Sequence, residues 1–117
     1  MTKPLDLETV VGTLEKAASS SFPGSLIEKF EAGGRGRPDP PVWQWGYPNQ
    51  SRRRSLRFYQ SKEIVAVIVV NIKVLGGVSH VEIWVVEDPE GQFSWFFFGD
   101  FSFSRDINDA AMKLLLA

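Results

Sequence analysis

The sequence predicts an α+β domain in which helices cover one face of an antiparallel sheet. Apolar residues recur at helical spacing near both ends of the chain, and long apolar runs typical of strands lie between them. The connections between those runs are short, which favours antiparallel neighbours. We therefore expect two helices, a five-stranded meander and a final helix (ααβββββα), with all three helices on one face.

Length and composition restrict the class of protein. The chain has 117 residues, of which 44% are hydrophobic, so we expect a single domain over residues 1–117 with a real core. It has no cysteine, which excludes a disulfide scaffold, a thiolate metal site and a cysteine nucleophile. The N-terminus lacks a secretory apolar stretch, and the longest apolar run, 64–70, is too short to span a bilayer. We expect a cytoplasmic protein without a membrane partner.

Two helices are expected near the N-terminus. Asp6 is a suitable N-cap for a helix over 7–19, whose apolar residues share one face. Ser25 is the expected cap of a short second helix, which Gly33 ends. Residues 33–41, rich in glycine, proline and arginine, are then expected to form an irregular loop.

The remaining chain alternates in the manner of strands until its last helix. A turn is expected over 48–54, and Asp106 is the expected cap of the C-terminal helix. The expected strands are 42–47, 55–60, 63–74, 78–87 and 92–98.

Two turns assign residues to the faces of the sheet. The Asp88-Pro89-Glu90-Gly91 segment suits a type I turn followed by a left-handed glycine, which pairs Asp88 with Gln92. A two-residue turn at Gly76-Gly77 pairs Leu75 with Val78. Both turns predict one apolar core face, formed by Ile68, Val70, Ile72, Val81, Ile83, Val85, Phe93, Trp95 and Phe97.

The second face is mixed. In this register His80 lies across from Asp100 and beside Lys73, while Glu82 lies across from Phe98 and beside Asn71. Whether Arg57 and Tyr59 join this face depends on the loop at 61–62. Its apolar end comprises Val65, Val67, Val69, Trp84, Val86, Phe96 and Phe98, and its polar end comprises Asn71, Lys73, His80, Glu82 and Asp100.

This second face is too apolar for an ordinary solvated sheet face. The favoured hypothesis is a non-enzymatic binding protein that uses it for homodimerisation or for a hydrophobic small ligand. Trp84, Phe96 and Phe98 would be the anchors. The polar orientation would come from Asn71, Lys73, His80 and Glu82, and no cofactor is expected.

An alternative hypothesis rests on charge. Residues 35–57 hold six arginines against Asp39 alone, although the whole chain has a net charge of -1. Such a segment suits an anionic macromolecule, either nucleic acid or an acidic protein such as a toxin that this chain neutralises. The sequence pI of about 5.8 argues against nucleic acid. The candidate residues are Arg35, Arg37, Arg52, Arg53, Arg54 and Arg57, with Trp43, Trp45 and Tyr47.

A third hypothesis is a hydrolase or isomerase that uses His80 as general base with Asp100 or Glu82. Ser79 projects to the opposite face from His80, so a catalytic triad is poorly supported. A metal site here would lack the several histidine or cysteine ligands of transition-metal centres, and none is expected. The simpler interpretation is a hydrogen-bonded histidine beside charge-balanced carboxylates.

Overall fold

The computed structural model of the protein describes residues 5–32, 37–38 and 49–116. Within these ranges three helices and four strands follow in the order α-β-α-β-β-β-α. The α+β class is confirmed, whereas the five-stranded sheet and the order ααβββββα are wrong. The helices are α1 (Leu7–Ser21), α2 (Gln50–Gln60) and α3 (Phe101–Leu116), and the strands are β1 (Leu26–Glu31), β2 (Glu63–Val74), β3 (Gly77–Glu87) and β4 (Phe93–Gly99).

The strands lie in chain order, β1-β2-β3-β4, and each neighbouring pair is antiparallel. The expected pairing of Asp88 with Gln92 is confirmed, because the Asp88 N–H donates to the Gln92 carbonyl at 3.0 Å. Gly91 has a φ of 82°, in the left-handed region that the turn requires. This turn fixes the pairing of β3 with β4, including Ile83 with Phe97.

The segment expected to be a second helix is the edge strand β1. Leu26 pairs with Asn71 of β2, and Ser25 precedes the strand instead of capping a helix. Helices shorter than about 12 residues are marginal without tertiary support. The 12-residue β2 offers this short segment a row of backbone hydrogen bonds. Tertiary pairing therefore decides its conformation.

The segment expected to be a turn and the strand 55–60 is the helix α2. The Asn49 side chain accepts a hydrogen bond from the Arg52 N–H at 3.1 Å, which caps its first turn. Ser61 ends the helix in the left-handed conformation, with a φ of 53°. The predicted strand 42–47 lies outside the described residues, and only residues 37–38 of the predicted loop are described.

The predicted core face is confirmed as the surface on which α1 and α3 pack. Asp6 caps α1 as expected, because its Oδ1 accepts the Thr9 N–H at 2.7 Å. Val10, Leu14 and Ile107 reach this core from the two helices. Its buried strand residues include Ile68, Val70, Ile72, Val81, Ile83 and Val85.

The expectation that all helices share one face is wrong, because α2 packs on the second face. Leu56 of α2 is buried with Val67 and Trp84. An irregularity in the β2–β3 register between Ile64 and Ala66 places Val65 in the first core and not on the second face. The sheet is therefore enclosed between α1 and α3 on one side and α2 on part of the other.

Candidate functional site

The polar end of the second face is organised by a chain of hydrogen bonds. The Trp84 Nε1–H donates to Glu82 Oε1 at 2.9 Å. Glu82 Oε2 lies 3.0 Å from His80 Nε2, and His80 Nδ1 lies 3.0 Å from Asn71 Oδ1. Alternate residues of β3 share this face, and the β2–β3 register sets Asn71 directly opposite His80. Four candidate residues are thus brought together.

The chemistry available to these hydrogen-bonded side chains depends on which of their atoms already have a partner. The buried indole fixes the Glu82 carboxylate, whose side chain is only 16% exposed, while His80 remains 45% exposed. Both ring nitrogens of His80 have a partner within the protein. A general base needs a ring nitrogen within reach of the substrate proton. In this arrangement the cluster orients side chains on the sheet, and the enzymatic hypothesis stays a prediction.

Asp100 does not pair with His80 as expected, because the β3–β4 pairing keeps its predicted register but ends one residue earlier. β4 ends at Gly99, which pairs with Val81, and the chain then turns into α3. The Asp100 Oδ1 accepts the Phe103 N–H at 3.0 Å, so Asp100 caps α3 in place of the expected Asp106. This turn needs a glycine, because Gly99 has a φ of 125° and a Cβ there would overlap the His80 carbonyl oxygen.

Lys73 does not lie beside His80 either. The β2–β3 turn is formed by Leu75 and Gly76, so that Val74 pairs with Gly77 and Lys73 with Val78. Gly76 adopts a φ of 89° in this turn. The pairing is shifted by two residues from the expected one, and a shift of two leaves the side chains around this turn on their predicted faces. Lys73 therefore lies opposite Val78, two residues closer to the turn than His80.

The three aromatic anchors lie together but are largely covered. Trp84 is fully buried and its ring centroid is 4.6 Å from that of Phe98. The Arg52 guanidinium of α2 lies 4.4 Å from the Phe98 ring centroid, a cation–π arrangement. A shallow groove of about 390 Å³ remains between α2 and the half-buried rings of Phe96 and Phe98. The hydrophobic-ligand and homodimer hypotheses stay predictions, and this groove is the part of the face that remains open to them.

Four of the six candidate arginines lie on α2, where the described segment 50–60 has no acidic residue. Arg57 forms an ion pair with Glu63 at 2.9 Å. Arg54 is exposed and has no hydrogen bond or ion pair with a described residue. Arg37 is exposed, whereas Arg35, Trp43, Trp45 and Tyr47 lie outside the described ranges.

The sequence did not predict that the outer side of α2 presents aromatic rings to solvent. Phe58 is 80% exposed and Tyr59 is 78% exposed, and their ring centroids lie 4.9 Å apart at an angle of 83°. A strand over 55–60 would have sent these two rings to opposite faces. The helix instead presents both to solvent. The cap at Asn49 followed by good helix formers was the available signal.

Metal ligands are not gathered in the described part of the chain, where no three His, Asp or Glu residues form a cluster suited to a metal ion. None of the described helices has the length and apolarity needed to cross a membrane.

Comparison of the chain with protein-family models, curated proteins and solved structures finds no match.

Proposed function

We propose that this chain is a non-enzymatic binding protein whose α2 docks into an acidic groove of a partner protein. The observation that carries the proposal is the outer surface of α2, where Phe58 and Tyr59 are exposed beside Arg54 and Arg57. We call these four residues the α2 surface.

The α2 surface has the composition typical of the central part of a protein–protein interface. Aromatic and arginine side chains are enriched at protein interfaces and supply most of their binding free energy. Arg54 and Phe58 are four residues apart and therefore lie on the same side of the helix. An exposed helix side with such anchors suits docking into a groove.

The helix that carries this surface is held in place before any partner binds. Leu56 is buried against the sheet, Arg52 lies over Phe98, and Arg57 is paired with Glu63. A binding element that is already ordered loses less conformational entropy on association. The α2 surface is thus supported as a rigid docking element.

A protein partner is favoured over nucleic acid by two observations. The whole chain has a net charge of -1, whereas nucleic-acid-binding domains are usually strongly basic. The Phe58 and Tyr59 rings stand edge-to-face at 83°, which is not the parallel platform on which successive bases stack. The absence of acidic residues from α2 makes an acidic partner groove the matching surface.

The test places a photo-crosslinking amino acid, p-benzoylphenylalanine, at position 58 of the protein, expressed in the organism from which the protein comes. Leu116 is 80% exposed at the end of α3 and provides the matched control position. We expect one protein adduct specific to position 58. Binding of that purified partner should weaken about tenfold or more with Arg54→Glu and should fall as salt is added. Identical adducts at both positions, or a nuclease-sensitive adduct, would overturn the proposal.

A further inference from the structure

The β2–β3 hairpin extends beyond the rest of the sheet. β1 pairs with β2 only as far as Asn71, and β4 pairs with β3 only as far as Val81. Residues 72–79 therefore pair only with each other among the described strands. We call this two-stranded projection, with its turn at Leu75, the arm.

The tip of the arm is apolar and open to solvent. Leu75 is fully exposed, Val78 is 63% exposed and Val74 is 39% exposed. Phe101, the first residue of α3, is 78% exposed and follows Gly99 by two residues, and Gly99 pairs with Val81 where the arm begins. Large apolar side chains seldom gather on an exposed surface unless that surface meets an apolar partner.

The charged side chain next to this tip is that of Lys73. Between Glu63 and Glu82 the sequence has no acidic residue and one lysine, Lys73, while His80 in the same stretch lies 3.0 Å from Glu82 Oε2. Lys73 is exposed on the arm itself. Arg105 lies with Phe101 and Gly99 along a groove at the base. Two carboxylates lie beside them: Asp106, 3.7 Å from Arg105, and Asp100, whose Oδ1 accepts the Phe103 N–H, so the positive charge of the arm comes from Lys73.

We propose that the arm is a membrane-docking element that inserts its tip into a bilayer surface rich in anionic lipid. A narrow convex tip with three aliphatic side chains presents much less than the roughly 800 Å² per partner of a standard protein interface. Lipid can close around such a tip from all sides. Lys73, two residues before Leu75, can extend its ammonium to lipid phosphates while its aliphatic stem remains in the apolar layer.

This inference concerns a surface separate from α2 and does not depend on the proposed function. It differs from the sequence-based expectation of no membrane partner, which stays a prediction. The arm would hold the protein at the bilayer surface without spanning it, in the manner of interfacial anchors.

The test measures binding of the full chain to phosphatidylcholine vesicles prepared with and without phosphatidylglycerol. We expect sedimentation with the anionic vesicles. Leu75→Asp should weaken binding about tenfold or more, because the exposed apolar side chain that would enter the bilayer is replaced by a carboxylate. Leu116→Asp makes the same change at another exposed leucine and should bind as the unsubstituted protein does. Lys73→Glu should weaken binding to anionic vesicles alone.

A label gives a second readout that does not depend on sedimentation. The chain has no cysteine, so Leu75→Cys carries a single environment-sensitive fluorophore. Its emission should shift to the blue only with anionic vesicles. Absence of vesicle binding, or equal losses with Leu75→Asp and Leu116→Asp, would overturn the proposal. A stable dimer that Leu75→Asp dissociates, without vesicle binding, would overturn it in favour of self-association.

Discussion

The indole N–H of Trp84 donates a hydrogen bond to the carboxylate of Glu82 at 2.9 Å. A fully buried ring is thereby connected to a side chain that also contacts His80. This contact ties the covered, aromatic part of the second face to its open, polar part. It identifies Glu82 as the residue that satisfies the one polar atom of the largest buried side chain.

Removing that acceptor should destabilise the fold. Glu82→Ala leaves the Trp84 N–H buried without a partner, at an expected cost of about 1 to 3 kcal/mol in the free energy of unfolding. Glu82→Gln keeps an acceptor oxygen at the same position and should lose clearly less. Urea denaturation of both variants measures the difference. Equal losses would show that the hydrogen bond contributes little.

Gly99 should be intolerant of any side chain. Gly99→Ala combines an unfavourable φ of 125° with an overlap on the His80 carbonyl oxygen, so we expect a loss of more than about 2 kcal/mol. Gly12 in α1 has no neighbour within 4 Å of an added Cβ, and Gly12→Ala should stabilise by about 0.5 to 1 kcal/mol. Thermal denaturation of the two variants decides the point, and shifts in the same direction would contradict it.

The cap of α3 can be identified by comparing two aspartates. Asp100→Ala removes the acceptor of the Phe103 N–H and should cost about 1 kcal/mol. Asp106 is exposed and contacts only Arg105 at 3.7 Å among the described residues, so Asp106→Ala should change stability by less than about 0.5 kcal/mol. Denaturant unfolding compares them. A larger loss at Asp106 would restore the start of the helix that the sequence predicted.

Substitutions on the buried and the exposed side of α2 should differ in their effect on stability. Leu56→Ala should lower the free energy of unfolding by about 2 to 3 kcal/mol, because Leu56 is buried against the second face. Phe58→Ala should change it by less than about 0.5 kcal/mol, since the ring is 80% exposed. Calorimetry of both variants provides the measurement. A large loss with Phe58→Ala would mean that this ring has a structural role.

Much of the sheet follows from local chemistry. The Asp88 Oδ1 accepts the N–H groups of Glu90 and Gln92 at 3.0 and 2.9 Å, so the turn and the register that it imposes are determined within five residues. That register placed Glu82 opposite Phe98, as the structure confirms. The composition of the core face followed from the same turn.

The candidate site was predicted only in part. Asn71, His80 and Glu82 share a face as expected, because a two-residue shift does not alter the alternation of side chains. Their contacts depend on the turn at Leu75, where one glycine with positive φ suffices. The sequence offered two glycines there, and nothing local selects between the two pairings.

The sequence by itself determined the α+β class, the capped helix α1, the core face and the β3–β4 register, because each rests on hydrogen bonds or periodicity within a few residues. Only the tertiary structure decided that 26–31 is an edge strand and that 50–60 is a helix on the second face. Segments of six and eleven residues are too short for intrinsic preference to settle their conformation. The sheet edge that pairs with one and the apolar surface that buries Leu56 of the other supply the deciding free energy.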